Sequence, residues 1–134
     1  MRDGFTRKLE ASPASSPGFA EWLAGWRATI VVLSGDAAGT EFEIDAPSAS
    51  LGRGAEATWA MQDDSMSKEH AVLEFSGDGM RLRDLGSMNG MMVNGAEVKA
   101  ADLKHGDRFQ LGESSFQFVL EERSRSPKTY VVED

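Results

Sequence analysis

Cysteine is absent from the chain, which excludes disulfide staples, thiolate metal sites and a cysteine nucleophile. Histidine is almost absent: His70 and His105 stand alone and far apart in sequence, so no metal-ligand pattern arises and neither a metal nor another cofactor is expected. Positive charge is in short supply, with 14 Lys and Arg against 22 Asp and Glu and a formal net charge of −8. Such a field repels DNA and RNA, and no basic stripe with interleaved aromatics offsets it, so a nucleic-acid partner is not expected. Any anion must be held locally. Apolar runs are only a handful of residues long, and Met1-Arg2-Asp3-Gly4 lacks the basic-then-apolar layout of a signal peptide. A soluble cytoplasmic protein without a membrane partner is the expectation.

What is present suits one buried core. The 134 residues are 40% hydrophobic and 27% charged, enough for a single globular domain with short tails. Residues 1–16 are polar and broken by Ser12-Pro13, a composition that predicts a flexible arm. Over residues 17–27 the pattern changes. Ser16 fits an N-cap, Pro17 the first helical position, and Phe19, Leu23 and Trp26 recur at helical spacing beside Trp22, predicting a short amphipathic helix.

From residue 28 to 120 the chain reads as strands. Ala28–Leu33 is β-branched, Gly35–Gly39 marks a turn, and Thr40–Asp45 alternates with period two. The alternation returns in Ala71–Phe75 and Met80–Asp84 around Ser76-Gly77-Asp78-Gly79, and in Arg108–Leu111 and Ser115–Leu120 around Gly112-Glu113. Many short strands with regular turn signals predict an all-β sandwich. Residues 121–134 form a charged tail, with a further extended segment expected at Thr129–Val132.

Four groups between Leu51 and Leu111 carry chemistry. Arg53 follows Gly52 where a strand breaks into a loop, and a guanidinium can grip a phosphate with two charge-assisted hydrogen bonds. Ser67 offers a hydroxyl in a polar loop, Lys68 a mobile charge beside it, and His70 reads as a brace held through backbone hydrogen bonds. Asn89-Gly90 and Asn94-Gly95 are strong turn dipeptides. The second joins Met91–Val93 to Glu97-Val98 and reads as architecture. The first follows Asp84-Leu85-Gly86-Ser87, where the Asn89 amide supplies both a donor and an acceptor for an extended ligand.

In Leu51-Gly52-Arg53, Ser67-Lys68-Glu69-His70, Asp84-Leu85-Gly86-Ser87-Met88-Asn89-Gly90 and Val93-Asn94-Gly95 the chain resembles the forkhead-associated (FHA) domain family, in family order over roughly residues 28 to 120. The resemblance implies a two-sheet β-sandwich of about eleven strands. It also implies recognition of phosphothreonine in an extended peptide, and hence a link to a Ser/Thr kinase and no enzymatic activity of its own. Carried over, Arg53 and Ser67 hold the phosphate, Lys68 assists, and Asn89 binds the peptide backbone, while Gly52, His70, Gly90 and Asn94 belong to the scaffold. Ser65, two before the loop serine, falls where the family often reads the third residue after the phosphothreonine. One departure matters: the family commonly has threonine before the loop asparagine, and this chain has Met88. The missing hydroxyl removes a contact that is about 1 kcal/mol when neutral and about 1.5–3 kcal/mol to a charged group.

Other readings compete. Met66, Met88, Met91 and Met92 sit in the same loops or strand ends, so a Met-rich rim, or the Phe19/Trp22/Leu23/Trp26 helix, offers a phospho-independent interaction surface; alternatively the methionines fill the core. Ser67, His70 and Asp84 supply the residue types of a nucleophilic triad, but Ser67 lacks a Gly-x-Ser-x-Gly elbow. Thr6 in the arm and Thr129 in the tail are positions whose phosphorylation would present a ligand in cis, at an effective concentration that can approach about a millimolar.

Overall fold

The computed structural model describes residues 18–123; the arm, the tail, Thr6, Thr129 and the segment expected at Thr129–Val132 lie outside them. A short helix, α1 (Phe19–Gly25), precedes eleven strands: β1 (Trp26–Val32), β2 (Glu41–Glu43), β3 (Ser48–Gly52), β4 (Trp59–Ala60), β5 (Ala71–Ser76), β6 (Gly79–Asp84), β7 (Met91–Val93), β8 (Ala96–Glu97), β9 (Ala100–Asp102), β10 (Arg108–Leu111) and β11 (Ser114–Glu122). They form two sheets, ordered β2-β1-β11-β10-β7-β8 and β4-β3-β5-β6-β9. The expected all-β sandwich is the observed fold.

Alternation decides which side chains meet between the sheets. Ile30 and Val32 of β1 and Phe116 and Phe118 of β11 face Leu51, Leu73 and Leu82 of the second sheet, all buried. Phe109 and Phe116, opposite each other on β10 and β11, stack with centroids 5.0 Å apart.

The helix departs from its predicted extent. Gly18, at φ 83°, is the N-cap, Phe19 is the first helical residue, and Trp26 is already extended at φ −132° and ψ 143°. Seven residues from Trp26 onward pair with β11, and the N–H of Arg123 donates to Gly25 O at 2.9 Å. A ladder of that length outcompetes one more helical turn. At the other end β11 continues to Glu122, past the residue 120 read as the domain edge. The apolar face of α1 is spent on packing: Phe19 and Trp22 are buried, with ring centroids 5.4 and 5.5 Å from Phe75.

Two consequences of this frame bear on function. The loops after β3, β4 and β6 and the β10–β11 turn bond to one another, gathering at one end of the sandwich. There β3 runs so close to the β4–β5 loop that a Cβ on Gly52 would lie 2.0 Å from Lys68 O, so only glycine fits.

Candidate functional site

Arg53 leaves β3 beside the β4–β5 loop, and two bonds fix it there. Its N–H donates to Ser67 O at 3.0 Å and its Nε–H to Met66 O at 2.8 Å. The side chain is otherwise exposed, and neither Arg53 nor Lys68 has a carboxylate within 4.0 Å among the described residues. Arg27, Arg81, Arg83 and Arg123 all do. In a protein of net charge −8 a guanidinium with both Nη nitrogens left over is chemically suited to hold an anion locally.

Ser67 is set up as a donor. Its Oγ accepts the N–H of Met88 at 3.0 Å, across from the β6–β7 loop, which leaves the hydroxyl proton for a ligand. Fully buried His70 holds both loops: Nδ1 accepts the N–H of Ser67 at 3.1 Å, so Nε2–H donates to Gly90 O at 2.7 Å. That geometry is incompatible with a triad. The ring reaches the backbone of Ser67 and not its hydroxyl, and the Asp84 carboxylate is taken by Ser87 and Gly86.

Asn89 is exposed at the tip of the β6–β7 loop, its Nδ2–H donating to Ser65 O at 2.7 Å. One amide proton and Oδ1 are left without a partner among the described residues. Ser65 contributes that carbonyl; its hydroxyl is consumed, donating to Asp63 Oδ1 and accepting the N–H of Glu113 at 2.7 Å. At the far end of β7, Asn94 at φ 50° and Gly95 at φ 86° form the tight turn expected of them.

Two carboxylates that sequence reasoning missed as site builders organise the loops. Partial burial pushes the Asp63 carboxyl up, but hydrogen bonds from Ser114 Oγ, Ser65 Oγ and the Ser65 and Glu113 N–H groups outweigh it and hold it below 3.8. Asp84 behaves alike, partial burial opposed and overcome by Ser87 Oγ and the N–H groups of Ser87 and Gly86. The signal was available: Asp63-x-Ser65 and Asp84-x-x-Ser87 are sequences in which an Asp caps the backbone just after it. Asp63 thereby joins the β4–β5 loop to the β10–β11 turn.

The methionines divide. Met66 and Met91 are buried core residues at 1% and 2% exposure, Met92 is at 37%, and Met88 at 89% projects beside Ser67 and Asn89. The Met-rich rim is thereby reduced to Met88 and Met92, and with Phe19 and Trp22 buried the helix offers no free aromatic face. Among the described residues no group of three or more His, Asp or Glu is placed to hold a metal ion.

A family model described as "Inner membrane component of T3SS, cytoplasmic domain" matches residues 31–122. No helix among the described residues here is long and apolar enough to cross a membrane. Over 128 residues the chain is 32% identical to the glycogen accumulation regulator GarA of Mycolicibacterium smegmatis, covering 92% of this chain and 81% of the relative. It is 30% identical over 121 residues to the oxoglutarate dehydrogenase inhibitor of Corynebacterium glutamicum, covering 89% and 85%. A solved structure from an analysis of phosphothreonine-dependent FHA domain interactions superposes with a TM-score of 0.64 at 30% identity, over 69% of this chain and 95% of that one. The matched sandwich, its relatives and its solved neighbour agree: the chain belongs to the forkhead-associated (FHA) domain family.

Proposed function

We propose that the chain binds phosphothreonine in an extended segment of a partner protein and acts as a signalling module, with no catalysis of its own. The observation that carries this reading is the pair of unspent donors at the loop end: Arg53, with no carboxylate within 4.0 Å among the described residues, beside a Ser67 hydroxyl whose acceptor role the Met88 N–H has taken. A phosphate monoester presents three acceptor oxygens, and a planar guanidinium plus an O–H donor is the complement of that group. Lys68 adds charge without fixed geometry, Asn89 reads the backbone next to the phosphothreonine, and Met88 gives only van der Waals contact. Gly52, His70, Gly90 and Asn94 keep the loops in place, and Ser65 orients Asn89.

The relative named as an oxoglutarate dehydrogenase inhibitor supports a partner that is itself an enzyme; a phosphothreonine ligand in turn implies a Ser/Thr kinase that writes it, and the proposed setting is the cytoplasm. An oriented phosphothreonine peptide library, screened against its unphosphorylated twin, tests the reading. Enrichment confined to the phosphorylated library is the expected result; equal capture from both, or capture that survives phosphatase treatment, rejects it.

A further inference from the structure

Next to Asn89 the outer face of the six-stranded sheet carries an unpaired carboxylate. Met92 of β7 lies directly between Glu97 of β8 and Gln110 of β10. Met91, Val93, Phe109 and Leu111 are buried, so strand alternation puts Glu97, Met92 and Gln110 together on the outside. Between that row and the β6–β7 loop is a depression of about 140 Å³ whose walls include Asn89, Gly90, Met92, Glu97 and Gln110. The Glu97 carboxylate leans over Gly90: a Cβ at that glycine would sit 3.2 Å from Glu97 Oε2. Gln110 turns its Nε2–H to Gly112 O at 3.1 Å and does not neutralise the carboxylate. Among the described residues no Lys or Arg lies within 4.0 Å of Glu97.

We propose that this depression is a specificity pocket for the side chain of a lysine or arginine flanking the phosphothreonine. Its half-exposed Met92 wall suits the aliphatic stem, and Glu97 suits the cationic head, the division of labour that long basic side chains adopt at surfaces. The inference rests on the phosphothreonine reading, because Asn89 is at once a wall of the pocket and the group proposed to hold the peptide backbone. An acidic flanking residue would meet Glu97 there, so the pocket rejects as well as selects.

The test uses phosphothreonine peptides that carry Lys, Gln or Glu at each flanking position in turn, titrated calorimetrically against the wild type, Glu97→Lys and Asp78→Lys. Asp78 lies in the β5–β6 turn and makes the same change in net charge away from the pocket. At one flanking position the wild type should favour Lys over Glu by up to about fivefold, the reach of an exposed ion pair, with the preference shrinking as salt rises. Glu97→Lys should invert that ranking, and Asp78→Lys should preserve it. Phospho-dependent binding with no charge preference, or with one that Glu97→Lys leaves intact, overturns the pocket alone. Equal binding of unphosphorylated peptides overturns the phosphothreonine reading and the pocket with it.

Discussion

Asn89-Gly90 and Asn94-Gly95 flank the three-residue strand β7, alike as dipeptides and different in their surroundings. At Asn94 the polar groups close on the protein. Its Nδ2–H donates to Asp107 Oδ1 at 3.1 Å, its Oδ1 accepts the N–H of Arg108 at 3.0 Å, and Asp107 Oδ2 accepts the N–H of Lys104 at 2.8 Å. At Asn89 the network stops short: one bond to Ser65 O, with half the amide, the Ser67 hydroxyl proton and the Arg53 Nη groups left over. Where a loop satisfies its own polar groups, it is architecture. A loop held just firmly enough to aim its remaining donors outward has the form of a binding surface, the role proposed for it above.

The contrast can be broken at either end, most violently at Gly52. A methyl there meets the backbone of Lys68, and no rotamer relieves it, whereas a Cβ on Gly95 has nothing within 4 Å and suffers only its φ of 86°. Urea denaturation should show Gly52→Ala destabilised by about 3 kcal/mol or more, and Gly95→Ala by about 1–2 kcal/mol. Similar losses in the two variants would mean that the β3 approach is not tight.

Truncating the two asparagines should separate stability from binding. Asn94→Ala loses two hydrogen bonds and a favourable left-handed residue, about 1–2 kcal/mol of stability, with phosphopeptide affinity unchanged. Asn89→Ala should leave the free energy of unfolding within about 0.5 kcal/mol of wild type and weaken phosphopeptide binding by about tenfold. If both variants lose stability alone, Asn89 is architecture too.

Acid sharpens the same comparison. Asp63 and Asp84, both at the loop end of the sandwich, have carboxyl groups held below the ordinary carboxyl value in the folded protein. A depressed folded-state value contributes stability that is complete above the unfolded value and is lost as pH falls through the folded one. The denaturation midpoint should therefore hold steady at neutral pH and decline below about pH 4, and less steeply in Asp63→Asn. A decline of equal steepness in that variant would show that Asp63 does not link the loops. The smallest effect is expected of Met88→Thr, which supplies a hydroxyl beside Ser67 and should tighten phosphopeptide binding by about 1 kcal/mol; unchanged affinity with the fold intact by NMR would mean that position 88 does not face the phosphate.

Much of this was legible because period-two alternation and turn dipeptides are local signals. The hairpin strands β5 with β6 and β10 with β11, and the Asn94-Gly95 turn, stand where residue order alone puts them. Trp59–Ala60 and Ala100–Asp102 leave no such signal, since two or three residues are too few to alternate visibly; the first pairs in parallel with the nearby β3, which no hairpin turn marks, and the second pairs with β6 across the intervening β7 and β8. Periodicity extends the helix beyond its true end because the spacing of Trp22, Leu23 and Trp26 carries no information about a strand nearly a hundred residues away. Likewise no local pattern separates buried Met66 and Met91 from exposed Met88; tertiary packing alone does so. The motif residues were readable as types, but that Met88 supplies an N–H to Ser67, and that Asp63 binds a third loop into the site, depends on contacts across 21 and 51 positions.

The central claim is that a phosphate is held by Arg53, an arginine at the loop end with no carboxylate within 4.0 Å among the described residues. The most direct measurement is calorimetric titration of one phosphothreonine peptide and its unphosphorylated twin into wild type, Arg53→Ala and Arg81→Ala, the last removing an arginine already paired with Asp102 at 2.9 Å. Loss of a charge-assisted bidentate contact should cost Arg53→Ala at least about 2–3 kcal/mol of binding, with Arg81→Ala unchanged and the unphosphorylated peptide bound by none. Binding that survives Arg53→Ala, or that ignores the phosphate, would contradict the account.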